Sequence, residues 1–225
     1  AAFNAMQARI RQYIFQRTQM LAAITHDLQT PLTRMRLRLE KVSDTELQER
    51  LIGDLSAMQE MVREGLVLAR SMDTTENMQM LDLDSLLEAV CADAVDAGQQ
   101  VTLKGQAGMA LLGRPLDLRR CLGNLIDNAV KYGREARVCV DRINGAARIR
   151  IRDGGPGIPA GELGRVFDPF YRVETSRSRE SGGTGLGLTI ARNIAEQHGG
   201  SIALANHPEG GLEVTLVMPE YYPNK

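Results

Sequence analysis

Over its first eighty residues the chain has almost no glycine or proline. Two of its 22 glycines (Gly53, Gly65) and one of its eight prolines (Pro31) fall there, against eight of its ten methionines. A stretch so poor in chain breakers excludes a turn-rich architecture and favours long helices. The remainder holds twenty glycines and seven prolines, so two kinds of structure meet near residue 80. No apolar run reaches the about 18–20 residues that a membrane crossing requires, and the start shows no signal-peptide pattern. An excess of either charge is also lacking: 27 basic residues stand against 28 acidic ones, a net charge of −1, which gives no support for nucleic acid as the main partner. Only three cysteines occur, Cys91, Cys121 and Cys139. Their number is odd and no pair has metal-ligand spacing, so they read as small buried apolar residues in a reducing compartment. With 225 residues, 43% of them hydrophobic, the chain can build one or two domains with a core and is too apolar to be disordered.

Apolar residues recur along one helical face at Ile10, Ile14, Leu21, Ile24, Leu28, Leu32, Met35, Leu39 and Val42, within a glycine-free stretch from Asn4 to Lys41. A second set follows at Leu47, Leu51, Leu55, Met58, Val62, Leu66 and Ala69. Ser43 with Glu46 three residues later fits a capping box that opens the second helix. Two such helices carry one apolar stripe each and little to cover it, so a dimeric four-helix bundle is the natural solution. The alternative is a hairpin docked on the rest of its own chain. Pro31 lies inside the first helix and predicts a kink near Asp27. His26 lies two residues from both Ile24 and Leu28, which turns it away from the stripe and toward solvent beside Asp27.

The last 110 residues follow a nucleotide-binding pattern. Pro115 suits the first turn of a helix, and the run from Leu118 to Tyr132 has helical periodicity with Gly133 as its stop. Asn124 and Asn128 share one face, with Lys131 close to it. Amide oxygens on one face suit Mg2+, which takes few protein ligands and keeps waters and phosphate oxygens. Ala136–Asp141 and Ala147–Arg152 alternate as strands. The second runs into Asp153-Gly-Gly155-Pro-Gly157, and a carboxylate there can accept a hydrogen bond from an amino group such as that of adenine. Gly155-x-Gly157-x-x-Ala160 is not a dinucleotide fingerprint, because two prolines interrupt it and Phe167-Asp-Pro-Phe170 follows where a crossover helix should stand. Gly183-Thr184-Gly185-Leu186-Gly187 leads into an apolar helical pattern, and its backbone N–H groups at a helix start suit an anion. It lacks the lysine of a P-loop. The polar segment from Arg172 to Ser181 reads as a lid, and Ser201–Ala205 and Leu212–Met218 read as closing strands.

The order of these elements resembles that of two-component sensor histidine kinases, in the subfamily that pairs with winged-helix response regulators. Thr25-His26-Asp27-Leu-Gln29-Thr30-Pro31-Leu is similar to the H box. Asn124-Leu-Ile-Asp-Asn128-Ala-Val-Lys131-Tyr132-Gly133 is similar to the N box, Asp153-x-Gly155-x-Gly157 to the G1 box, Phe167-x-x-Phe170 to the F box and Gly183-x-Gly185-x-Gly187 to the G2 box. The match covers residues 18–218, and residues 1–17 resemble the exit helix of a HAMP linker. The resemblance implies a multi-domain chain: an all-α hairpin that dimerises as a four-helix bundle and carries histidine phosphotransfer over 18–73, a hinge over 74–80 with Asp73–Asn77 at its centre, and an α/β sandwich of the GHKL (Bergerat) type binding ATP over 81–225. It also implies a sensor and transmembrane region upstream, which would make this chain the cytoplasmic portion of a bacterial inner-membrane protein.

By the same resemblance His26 is the phosphoacceptor, Asp27 holds its tautomer, and Thr30 orients a water in a phosphatase reaction. Mg2+ is held by Asn128 with help from Asn124. Lys131 contacts a phosphate, Tyr132 packs near the base, Asp153 receives the adenine amino group with Gly155 and Gly157 in its turn, and Phe170 belongs to the nucleotide site. Gly183, Thr184, Gly185, Leu186 and Gly187 cradle phosphates. The partners implied are a second copy of the chain and the receiver domain of a response regulator. Two positions depart from the family pattern: Gln29 stands where a cation is common, which bears on regulator docking, and Gly154 stands where a polar residue is frequent. Two other functions remain open here: an ATP-binding switch module that forms no phosphohistidine, and a phosphatase-dominant form. His198 and His207 belong to no box and read as structural or surface residues.

Overall fold

The computed structural model describes Met6, Arg9, Met20 and Ile24, and residues 27–71, 76–173 and 183–221. The chain divides into two units, Ala1–Thr74 with Ser176–Leu186, and Thr75–Thr175 with Gly187–Lys225. His26, most of the expected lid and the centre of the expected hinge lie outside the described residues.

In the first unit a helix over residues 27–39 (α1) passes through Pro31, which supplies no N–H to the ladder. A tight turn leads to a second helix, Thr45–Ser71 (α2). The cap of α2 is Asp44 rather than the expected Ser43: its Oδ1 accepts the Leu47 N–H at 3.0 Å. The two side chains are comparable caps, but a carboxylate adds favourable charge at the positive end of a helix. Gln48 closes the turn by donating from Nε2 to the Leu39 carbonyl at 3.0 Å. Packing of α1 on α2 is incomplete. Among the described side chains of the hairpin only Leu55 is buried, while Leu28, Met35, Leu47, Met58 and Met61 are 41–53% exposed. A groove of about 390 Å³ runs between the helices, lined by Met35, Arg38, Leu39, Leu51, Asp54, Leu55 and Met58.

The second unit is a two-layer α/β sandwich. Its five-stranded sheet has the order β2 (Val101–Gly105), β4 (Ala136–Ile143), β5 (Ala146–Asp153), β7 (Leu212–Pro219), β6 (Ser201–Asn206). Only β2 and β4 pair in parallel. A small antiparallel ribbon joins β1 (Gln79–Asp82) to β3 (Ala110–Gly113). Register places Val138 opposite Ile151 and Val140 opposite Ile149, while Ile149 faces Leu216 and Ile151 faces Val214. All six side chains are at most 5% exposed, so one sheet face is core. The helices α3 (Leu83–Asp96), α4 (Pro115–Gly133) and α5 (Gly187–Gln197) bury their apolar sides, Leu87, Cys121, Leu125 and Ile194 among them, completely. The other sheet face carries Arg148, Arg150 and Arg152. Arg148 makes a two-pronged contact to Asp141 of β4, Nε–Oδ1 2.8 Å and Nη2–Oδ2 2.5 Å.

The strands extend the expected ranges by one or two residues. The β4–β5 connection is Asn144-Gly145 with φ of 51° and 74° at its two residues, the two left-handed positions that a tight hairpin turn needs. Gly133 does not stop α4 in the expected manner. It is the last helical residue, and the left-handed residue is Arg134 at φ 66°. A Cβ at Gly133 would stand 2.5 Å from both the Asp153 Cβ and the Gly154 nitrogen. That glycine serves close approach between the end of α4 and the end of β5.

Candidate functional site

Asp153 ends β5 on the core-facing side of the strand and is 8% exposed. Its Oδ1 accepts two backbone hydrogen bonds, from Gly155 at 2.8 Å and from Leu212 at the start of β7 at 3.0 Å. Two donors converging on one oxygen hold the carboxylate in one orientation. Both of these bonds, among the described residues, go to Oδ1 and not to Oδ2. Gly155 fits against the end of α4: a Cβ there would lie 2.8 Å from the Tyr132 carbonyl oxygen. Tyr132 is 46% exposed, with the Lys131 Nζ 5.8 Å from its ring centroid. The structure thus brings Tyr132 and Asp153 together across Gly155, with Lys131 beside the Tyr132 ring.

Asn124 and Asn128 lie half-buried along α4. Both face the first residue of α5. Asn124 donates from Nδ2 to the Gly187 carbonyl at 3.2 Å, and a Cβ built on Gly187 would stand 3.5 Å from the Asn128 Nδ2. The N–H groups of a helix start attract anions, and the start of α5 sits beside two side-chain amides. Among the described residues no group of three or more His, Cys, Asp or Glu could hold a metal. A cation such as Mg2+ would thus need phosphate oxygens and water to complete its shell, which suits its coordination habits.

Gly183–Leu186 belong to the first unit. There the Thr184 hydroxyl donates to the Glu64 carboxylate of α2 and accepts the Leu186 N–H at 3.3 Å; Thr184 and Leu186 are both buried. Of the F-box pair, Phe167 is fixed to α5: its carbonyl accepts the Thr189 hydroxyl at 2.8 Å and its ring lies 5.2 Å from the Arg192 guanidinium. Phe170 takes a left-handed backbone, φ 64°, and is 59% exposed. Asp27 and Thr30 are exposed on α1.

Sequence reasoning missed the turn between β6 and β7. Gly157 has φ +77°, and a Cβ there would stand 2.5 Å from the Asn206 Oδ1. Asn206 brackets the next residue: its Oδ1 accepts the Ile158 N–H at 2.8 Å and its Nδ2 donates to the Ile158 carbonyl at 2.7 Å. The signal available was the Gly210-Gly211 pair ahead of a strand. His198 is structural, as expected. It is 8% exposed; its Nε2 accepts the Arg114 N–H at 3.0 Å and its Nδ1 lies 2.7 Å from the Ile194 carbonyl. Burial holds its pKa below the ordinary value. This ring pins the start of α4 to the end of α5. Burial likewise pushes the Cys121 thiol up to about 12, which leaves it unreactive.

Residues 113–222 match the family of histidine kinase-, DNA gyrase B-, and HSP90-like ATPases. Over 218 residues, 97% of this chain and 45% of the relative, the chain is 43% identical to the sensor histidine kinase GtrS of Pseudomonas aeruginosa. It is 30% identical to the sensor histidine kinase CpxA of Escherichia coli over 98% of this chain and 51% of that one. The chain spans about half the length of the curated relatives it matches. Among solved structures, the ATP-binding domain of PrrB from Mycobacterium tuberculosis superposes with a TM-score of 0.54 at 28% identity, covering 65% of this chain and all of that one. Full-length ShkA in complex with AMPPNP shares the fold, with a TM-score of 0.63 over 92% of this chain and 47% of that one at 23% identity.

Proposed function

We propose, for a chain that belongs to the sensor histidine kinases, an ATP-dependent autophosphorylation of His26, followed by phosphotransfer to an aspartate of a response regulator. The observation that carries the reading is Asp153, buried at the end of β5 with two backbone donors on one oxygen, on a unit where Asn124 and Asn128 face the start of α5. Asp153 Oδ2 would accept the adenine amino group. Lys131 and the G2 residues Gly183–Gly187 would meet phosphate oxygens. Mg2+, held by Asn128, would offset the charge that develops on the transferred group.

A neutral His26 ring nitrogen would attack the γ-phosphorus. The P–N bond forms as the bond to the bridging oxygen breaks, and ADP leaves with that electron pair. Asp27, next in sequence, would hold the other ring nitrogen's proton and balance the positive charge on the ring. The phosphoryl group would then pass to the regulator's aspartate. Thr30, one turn beyond His26, would orient water for the reverse function, hydrolysis of the regulator's acyl phosphate. The exposed apolar side of the hairpin supports a homodimer, with a second copy covering the groove between α1 and α2. No helix among the described residues is long and apolar enough to cross a membrane. The chain is read as the cytoplasmic portion of a longer membrane sensor.

The test is incubation with γ-labelled ATP and Mg2+. Acid-labile, alkali-stable label is expected on the unaltered chain and none on His26→Ala. Label that persists in His26→Ala would overturn the assignment. Label that forms normally but never transfers to any receiver domain of the source genome would remove the signalling role.

A further inference from the structure

We propose that the β6–β7 turn is a positioning device for the nucleotide site: Gly211, the Leu212 backbone and Asn206 set the carboxylate of Asp153 and the loop after it, and so determine selection for adenine. The proposal deepens the reading above and rests on it, because it assigns a task to residues that touch Asp153 rather than the nucleotide.

Several contacts join this turn to the end of β5 and to the loop after it. Leu212 gives its N–H to the Asp153 Oδ1 at 3.0 Å. Without this second donor the carboxylate keeps, among the described residues, the bond from Gly155 in its own turn. Gly211 makes that approach possible. Its φ is +87°, a region that favours glycine, and a Cβ there would overlap the carbonyl oxygen of Asp153 itself. Asn206 then holds Ile158 from both sides, through the pair of bonds at 2.8 and 2.7 Å. The segment 153–158 is therefore fixed at its first and last residue by one neighbouring turn.

That turn is braced in its own right. The His207 N–H donates to the Gly211 carbonyl and the Gly210 N–H to the His207 carbonyl, each at 2.9 Å. Arg152, one residue before Asp153, donates from Nη2 to the Gly210 carbonyl and from Nη1 to the Glu209 carboxylate, both at 3.0 Å. A carboxylate that distinguishes a 6-amino from a 6-oxo purine must keep its free oxygen in one place, because a rotated acceptor loses the directional bond. The selection then depends on residues that never contact the base.

The experiment titrates the full 225-residue chain with ATP and with GTP by calorimetry, for the unaltered protein, Asp153→Asn, Gly211→Ala, Asn206→Ala and Asn206→Asp. Circular dichroism reports the fold, and amide exchange is followed at Gly155, Ile158 and Leu212. The unaltered chain is expected to prefer ATP, and Asp153→Asn to lose that preference. Gly211→Ala should weaken ATP binding by tenfold or more, but it also risks the fold. Asn206→Ala removes no core atom and keeps the test decisive. It should weaken ATP by about fivefold, the value of one net hydrogen bond, lower the ATP-to-GTP ratio, and speed exchange at Ile158 and Gly155. Asn206→Asp keeps the acceptor for the Ile158 N–H and should recover part of the loss. If Asp153→Asn abolishes the preference while folded Asn206→Ala keeps both affinity and ratio, the positioning role is wrong and the reading of Asp153 stands. If the unaltered chain shows no adenine preference, or Asp153→Asn leaves it unchanged, that reading fails and the proposal fails with it.

Discussion

The two units bury their apolar side chains to very different degrees. In the second, Leu87, Cys121, Leu125, Ile149 and Ile194 are wholly buried and the sheet has one continuous core face. In the hairpin, Leu55 alone among the described side chains is buried, while Met35 and Met58 stand more than half exposed on either side of a groove. A sandwich closes its core within one chain; two helices with one stripe each present half of a bundle core. In the described residues the first unit leaves its apolar stripe exposed, which is what the proposed dimer would cover, while the second closes its core and holds Asp153, Asn124 and Asn128 around the proposed nucleotide site.

The sharpest way to break this contrast is a charge in the groove. Met58→Glu would bury an uncompensated carboxylate in the proposed bundle core, a cost of about 3–5 kcal/mol. Self-association measured by sedimentation should weaken by at least about a hundredfold, with ATP affinity of the second unit unchanged. Unaltered self-association would mean that another surface holds the copies together. The converse experiment is Asp153→Asn. It replaces a charged acceptor and presents an amide to the adenine amino group, so ATP affinity should fall by some tens of fold, or about 2 kcal/mol. The hairpin should self-associate as before. A variant that altered both properties together would show that the units are not independent in this sense.

Gly133→Ala tests the packing that carries the site. Its Cβ would meet backbone and Cβ atoms at 2.5 Å, which cannot rotate away as a side-chain tip can. Overpacking of this kind costs about 1–3 kcal/mol. The second unit should unfold at a lower temperature and bind ATP more weakly, whereas Gly53→Ala, with open space around it, should leave the hairpin unchanged or slightly stabilised.

What the sequence disclosed follows the range of the interactions involved. The elements β1, α3, β2 and β3, between Gln79 and Gly113, were not read, whereas the helices α2 and α4 and the strands β4 to β7 were legible to within a few residues, because periodicity is local. The face shared by Asn124 and Asn128 was legible for the same reason. The cap of α2 was misplaced by one residue, since Ser43 and Asp44 are adjacent residues of equal capping merit. Gly133 was read as a stop because helix ends are where glycine is usually needed; its real reason is contact with Asp153, twenty residues away. The hold of Leu212 and Asn206 on the segment 153–158 spans some fifty residues. Local pattern carries no sign of it beyond the Gly210-Gly211 pair.

The smallest effect expected concerns pH, and it probes the second unit alone. His198 is buried as a neutral ring, with Nε2 accepting the Arg114 N–H. A proton on Nε2 would set two donors against each other. Burial is the main cause that holds its pKa below 6.5 and the Arg114 guanidinium adds to it, while the Ile194 carbonyl, Asp117 and Glu76 pull the other way. The unfolded chain takes up a proton at this residue as pH falls through about 6.5, and the folded chain does so only at lower pH. In that window the unfolded state binds more protons, so stability rises with pH. The ring's contribution is full above about 6.5 and declines as pH falls toward the folded value. His198→Gln removes the titration. The stability difference between the unaltered chain and this variant, from urea unfolding of the second unit, should therefore be largest at neutral pH and shrink between pH 7 and pH 5. A difference that stayed constant across that range would show that the ring's packing matters there and its neutral state does not.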